Sequence, residues 1–308
     1  MTSYEAVRRT RAVLTEHGLP DAAFEGDILV QEVMGVRQPV RTLPERTLTE
    51  AQQKTLADMT RRRCCHEPLQ YLCGAWEFYG LPFSVGEGVL IPRQDTEVLV
   101  EEVLRLRCGT AATRLLDLCS GSGCIPAAVA VHLSGVTGDV VELSARALPY
   151  LRRNLNRHAP ALHIWEGDAL APPAELSQNT YDIITCNPPY LTAEDMAQLQ
   201  PEVAFEPASA LYGGTDGLDF YRRLTPLWSR RLAQGGWLLY EVGQGQAHAV
   251  QQLLEQVMDG TIEDAKTVAT VLEQAGLAGC RILPDLAGIG RVVLGQRKER
   301  ISDDGKSG

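Results

Sequence analysis

The chain has 308 residues, a hydrophobic fraction of 44% and a formal net charge of −10, the profile of a soluble globular protein with room for one large domain and one small one. The acidic balance argues against a nucleic-acid partner, which favours a basic face. No apolar run is long enough to span a membrane, the start lacks the regions of a signal peptide, and the eight cysteines include no Cys-x-x-Cys pair, so the expected setting is a reducing cytoplasm with no membrane, no disulfide framework and no metal.

Residues 1 to about 75 read as helices, with Tyr4, Val7, Val13 and Leu14, then Phe24, Ile28, Leu29 and Val33, at roughly helical spacing. Thr47 is a candidate N-cap, with Glu50 at the capping-box position. Arg61-Arg62-Arg63 near that helix's end reads as a solvated terminus suited to the dipole, or as a docking patch for an acidic partner. Tyr71 to Val85 mixes apolar residues with glycines and predicts a β-hairpin. Arg93 follows in a polar loop, as an anchor or a site residue, and Asp95 or Thr96 is placed to cap the next helix.

Leu115-Leu116-Asp117-Leu118 predicts a buried strand that runs through Cys119-Ser120-Gly121-Ser122-Gly123 into the apolar helix 124–132. Strand, glycine-rich turn and helix form a nucleotide-binding arrangement, although a phosphate loop would want a lysine here. Asp117, inside the strand end, is placed to take an amine or to orient the loop. The next strand, 140–143, carries Glu142, placed to accept both hydroxyls of a ribose, whereas Asp139 comes too early. A helix over 145–158 and a strand over 161–165 lead to Asp168-Ala169, where Asp168 can accept the exocyclic amine of an adenine or serve as a turn residue.

The fourth strand, Tyr181 to Cys186, ends in Asn187-Pro188-Pro189-Tyr190. Consecutive prolines cannot donate ladder hydrogen bonds, so the strand stops and leaves a rigid shelf at its carboxyl end. The shelf suits a planar nitrogen carrying two hydrogens: Asn187 Oδ1 accepts one, the Pro188 carbonyl the other, and Tyr190 packs on the flat face. None of the four is a base, so orientation and electrostatics are what it can contribute. Beyond it a helix is expected over 218–232, with Gly235-Gly236 turning into a strand over 237–242. A helical region over 247–275 with an extra helix near 259–266, an antiparallel pair at 281–283 and 291–294, and a polar tail from 297 complete the chain.

Four stretches together resemble the PrmC/HemK protein-(glutamine N5) methyltransferases: Val89 to Glu97, Leu116 to Ile125, Asn187 to Tyr190, and Phe205-Glu206-Pro207 with Gly213-Gly214-Thr215-Asp216-Gly217-Leu218. The resemblance spans nearly the whole chain and implies an α/β, Rossmann-like class I methyltransferase sheet. It divides the chain into a helical substrate-binding domain (1–72), a β-hairpin linker (73–88), a methyltransferase domain (89–296) and a tail (297–308). It implies S-adenosyl-L-methionine as cofactor, bound by Cys119, Ser120, Gly121, Ser122, Gly123, Glu142, Asp168, Ala169 and Asn187. Asn187, Pro188, Pro189 and Tyr190 would hold the glutamine of a release factor's Gly-Gly-Gln loop, with Asn187, Pro188 and Tyr190 assisting the chemistry. Three departures from the pattern stand out: Cys119 in place of the first glycine, Glu142 in place of aspartate, and a longer segment between Gln246 and Leu277. An N6-adenine methyltransferase would use the same shelf. A dinucleotide oxidoreductase would use the glycine-rich turn but leave the shelf unexplained.

Overall fold

The computed structural model describes residues 1–259 and 277–297. The expected extra helix near 259–266 and the tail beyond 297 fall almost wholly outside the described residues. The chain divides into two compact units, one of residues 1–76, 85–87 and 199–206, the other of residues 77–84, 88–198 and the described residues from 207 onward.

The first unit is helical: α1 (Ser3–Glu16), α2 (Ala22–Met34), α3 (Glu50–Cys64) and α4 (Leu69–Cys73) close over Ala6, Leu14, Leu29, Val30 and Leu56. The cap of α3 is Thr49, whose hydroxyl accepts from Gln52 N while the Gln52 side chain returns to Thr49 N. The expected Thr47–Glu50 cap is therefore displaced by two residues, because Thr47 is held in a bridge to Thr2. The arginine run is neither solvated as a whole nor a free patch. Arg63 is 3% exposed and bonds both oxygens of Glu25, at 2.8 and 3.0 Å, and Glu202 at 3.0 Å. Arg61 and Arg62 pair with Asp58 and Glu67.

The hairpin is shorter than expected: β1 (Ala75–Phe78) and β2 (Leu81–Ser84). Tyr71 to Cys73 belong to α4, which Gly74 ends in the left-handed conformation. Tyr79 and Gly80 both have positive φ, 51° and 71°, the signature of a tight hairpin turn whose twist matches its strands.

The second unit is a seven-stranded sheet in the order β5-β4-β3-β6-β7-β9-β8. Its strands are β3 (Thr113–Leu118), β4 (Val136–Glu142), β5 (Leu162–Glu166), β6 (Tyr181–Cys186), β7 (Leu232–Glu241), β8 (Leu277–Pro284) and β9 (Gly290–Arg297). The first five are parallel, and β9 runs antiparallel to both β7 and β8. Helices α5 (Glu97–Arg107), α6 (Cys124–His132) and α7 (Leu148–His158) contribute to one apolar core. The short α8 (Ala193–Ala197) follows the shelf, and α9 (Asp219–Trp228) and α10 (Ala247–Asp259) contribute to the other core. Leu115 enters the first core and Leu116 the second. Burial on both faces is why the strands read as continuous apolar runs.

Two local expectations shift. Helix α9 stops at Trp228, and β7 already begins at Leu232, with Gly235-Gly236 inside an irregular stretch of its pairing with β6. Neither Asp95 nor Thr96 caps α5 through its side chain. Asp95 pairs with Arg291 at 3.0 Å, and the buried Thr96 hydroxyl faces Glu241. The chain winds from β3 outward to β5, then crosses back to β6 on the other side of β3. A crevice opens at the carboxyl ends of strands at such a reversal.

Candidate active site

At that reversal lies a cavity of ≈ 330 Å³, within the range that holds a small-molecule ligand. Of the residues expected to hold the cofactor, Cys119, Ser120, Gly121, Ser122, Glu142, Asp168, Ala169 and Asn187 all line it. Gly123 does not; it precedes α6 with φ 77°, under Leu151 and Leu155. Pro189 lines the wall, while Pro188 is buried and Tyr190 is half-buried against the second core. Arg93 is also a wall residue.

The glycine-rich turn is built by buried polar contacts. Asp117, 1% exposed, accepts the Ser120 hydroxyl at 2.6 Å and the Thr185 hydroxyl at 2.6 Å. Its role is thus to orient the loop. Burial pushes the Asp117 carboxyl up to about 7, against the pull of those two hydroxyls. Asn154 binds Ser122 O at 2.9 Å and both backbone groups of Ser84, fastening the turn to β2. Glu142 accepts Gly121 N at 2.7 Å and Ser144 N at 2.6 Å. Each carboxylate oxygen retains a lone pair for a hydroxyl, and burial raises the Glu142 carboxyl above the ordinary range. Cys119 adopts φ 56°, a left-handed backbone that costs a non-glycine residue roughly 1–2 kcal/mol; glycine would hold it without that cost. Asp168 turns its own corner, accepting Leu170 N at 2.8 Å. Burial pushes the Cys124 thiol up to about 12 and raises Cys186 as well, so neither offers a thiolate for covalent chemistry.

The shelf is braced from behind. A Cβ on Gly213 would come within 2.6 Å of Tyr190 Cα, and one on Gly217 would collide with the Tyr190 carbonyl. That carbonyl accepts Gln246 Nε2 at 2.8 Å. The Gly-Gly-Thr-Asp-Gly stretch is therefore the mould of the shelf, a pairing that sequence spacing alone does not reveal. Asn187 stands on the cavity wall, and its Oδ1 is a buried acceptor with no hydrogen-bond partner. Among the described residues only three other buried side-chain polar atoms lack one, and one of them is Glu241 Oε2. Glu241 ends β7 beside the shelf, and the sequence reading missed it. Burial pushes the Glu241 carboxyl up to about 7, opposed by donation from the Thr96 hydroxyl, by Arg291 and by the Asn187 amide.

Residues 5–74 match the PrmC N-terminal domain and residues 94–210 the methyltransferase small domain. A release factor glutamine methyltransferase of Geobacter sulfurreducens is 38% identical over 289 residues, covering 93% of this chain and 94% of the relative. The chain belongs to the release factor glutamine methyltransferase family. A relative from Bradyrhizobium diazoefficiens, named a ribosomal protein uL3 glutamine methyltransferase, is 36% identical and covers 74% of this chain and 75% of its own. The sheet of this family member is also that of a solved structure, the hMettl16 catalytic domain in complex with a 3'UTR hairpin (TM-score 0.51, 14% identity, 82% of this chain and 84% of that one). The glycine-rich turn, Glu142 and the shelf all fall inside the matched 94–210 segment. Among the described residues no helix is long and apolar enough to cross a membrane.

Proposed function

We propose that this protein transfers a methyl group from S-adenosyl-L-methionine to the side-chain amide nitrogen of the glutamine in the Gly-Gly-Gln motif of peptide-chain release factors, in the cytoplasm. The unpartnered Asn187 Oδ1 on the cavity wall carries this reading. An acceptor buried without a partner costs about 1–3 kcal/mol, and a bound N–H repays it.

The cavity's donor set fits the cofactor. Glu142 has lone pairs for ribose hydroxyls, Asp168 and Ala169 on the cavity wall would meet an adenine edge, and Ser120 to Ser122 offer close backbone approach. When bound there, S-adenosylmethionine would supply an electrophilic methyl on a sulfonium, with S-adenosylhomocysteine as the leaving group. Asn187 Oδ1 takes one N–H of the glutamine amide and the Pro188 carbonyl the other. Tyr190 supports the amide plane, and its own backbone is fixed by Gln246. So held, the nitrogen lone pair points along the line of attack rather than into amide conjugation. Positive charge that grows on nitrogen as the new C–N bond forms and the S–C bond breaks meets those two oxygens. The proton leaves the nitrogen for water afterwards, so no protein base is required beforehand.

A second reading, methylation of a ribosomal-protein glutamine, is favoured by the relative named for uL3. Intact-mass measurement decides: purified release factor and uL3 are each incubated with the protein and S-adenosylmethionine, beside a release factor with the motif glutamine changed to alanine. A single added methyl on the release factor, absent from the altered substrate, is expected. Methylation of uL3 alone would establish the second reading. Neither substrate modified, with cofactor bound, would move the target to a nucleic-acid amine.

A further inference from the structure

Strands β6 and β7 pair in parallel with Cys186 opposite Tyr240. The next residues, Asn187 and Glu241, therefore stand side by side at the carboxyl edge of the sheet. Glu241 is 1% exposed, its backbone carbonyl takes the Tyr221 hydroxyl at 2.9 Å, and its carboxyl receives the Thr96 hydroxyl and the Asn187 amide. The nearby cation does not neutralise it by direct contact: Arg291 ion-pairs instead with Asp95 at 3.0 Å and Asp285 at 3.1 Å. A carboxyl this deep without an ion pair is costly.

A carboxylate accepts and never donates. An asparagine beside it must turn its N–H2 toward the carboxylate and its oxygen away. That is the arrangement in which Asn187 Oδ1 is left without a protein partner. A glutamine, or a protonated glutamate, offers a hydrogen that Asn187 Oδ1 would accept, and the acceptor would be lost to substrate.

We propose that Glu241 is a positioning residue for methyl transfer, acting through Asn187: its ionised carboxylate fixes the asparagine amide so that Oδ1 is presented to the substrate N–H. The proposal rests on the methyl-transfer reading above. The groups that face Glu241 are Arg291 on β9, Asp95 ahead of α5, Tyr221 on α9, Cys124 on α6, and Cys186 and Tyr190 at the shelf. The tyrosines and cysteines are all held above their ordinary values by burial, which leaves Glu241 as the group of this set that titrates near neutrality.

The test is single-turnover methylation of release factor at saturating S-adenosylmethionine by the wild type, Glu241→Gln, Asn187→Ala and the double variant, with cofactor affinity measured on each. Glu241→Gln is expected to slow turnover about 10–100-fold with cofactor affinity changed less than about threefold, and to add no further loss in the Asn187→Ala background. The wild-type rate is expected to fall as pH drops below about 7, and that fall to be shallower in Glu241→Gln, with Asp117, also pushed up to about 7, accounting for what remains. Wild-type turnover in Glu241→Gln, or losses that add in the double variant, would overturn the proposal. Should Glu241→Gln not fold, a wild-type rate that is flat from about pH 6 to 8.5 would overturn it equally. A wild type with no turnover on release factor would instead refute the substrate reading, and the positioning proposal with it.

Discussion

Each unit of the protein holds a deeply buried charged cluster, and these two clusters are partnered in opposite ways. In the helical unit, Arg63 is enclosed with three oxygen contacts from Glu25 and Glu202, and Glu202 also meets His66 at 3.1 Å. In the sheet unit, Asp117 and Glu241 are as deeply buried but bonded only to hydroxyls and an amide, and Asn187 Oδ1 and Glu241 Oε2 have no partner at all. The first arrangement spends its polarity on the fold. The second keeps acceptors in reserve beside a cavity, which is the state of a site whose remaining partner is a ligand.

The contrast is broken most strongly by removing Arg63. Arg63→Ala leaves Glu25 uncompensated and should destabilise the protein by roughly 3–5 kcal/mol, with S-adenosylmethionine affinity unchanged at temperatures where the variant remains folded. Denaturant unfolding alongside cofactor titration checks both. A loss of affinity without loss of stability would mean that this cluster belongs to the site.

The mould behind the shelf comes next. Gly217 has φ 73°, and a Cβ there meets the Tyr190 carbonyl and the Gln246 side chain. Gly217→Ala should cost roughly 2–4 kcal/mol through left-handed strain and displacement of the shelf, and slow methylation more than it weakens cofactor binding. Equal losses in both would place the stretch nearer the cofactor than the shelf.

The smallest effect lies in the pH dependence of stability. The folded state holds protons on Asp117 and Glu241 more tightly than the unfolded chain does, since both are pushed up to about 7. Their contribution is full below the ordinary carboxylate range and is lost as pH rises through about 7. Glu202, lowered through its bonds to His66 and Arg63, contributes the other way and loses stability as pH falls. The melting temperature of the ligand-free protein should therefore decline from about pH 5 to 8, and decline less in Asp117→Asn; an unchanged slope in that variant would show that Asp117 is not the titrating group.

The site's position was legible because Asn187-Pro188-Pro189-Tyr190 cannot extend a ladder and because an acid such as Glu142 at a second strand's end has few other uses. The alternation of apolar strands with helices was legible too, whereas the order of the strands in the sheet came only with the structure. What stayed hidden depends on long-range contact. Glu241 reads as the polar end of an apolar strand until the register sets it beside Asn187. Gly213 and Gly217 read as loop glycines until the shelf packs on them. Arg63 reads as one of three solvated arginines, because nothing local distinguishes the one that faces Glu25. The α3 cap slipped from Thr47 to Thr49 for a similar reason, a bridge to Thr2 forty-five positions away in the chain.

The central claim is that the empty acceptor on Asn187 is where the substrate amide binds. It is tested most directly by Asn187→Ala, assayed for single-turnover methylation of release factor, for thermal stability and for S-adenosylmethionine affinity on the same preparation. The expected result is a loss of roughly 10²–10³-fold or more in rate, with stability within about 1 kcal/mol of wild type and cofactor binding retained in part. Full turnover in that variant, or destabilisation comparable to Arg63→Ala, would contradict the account.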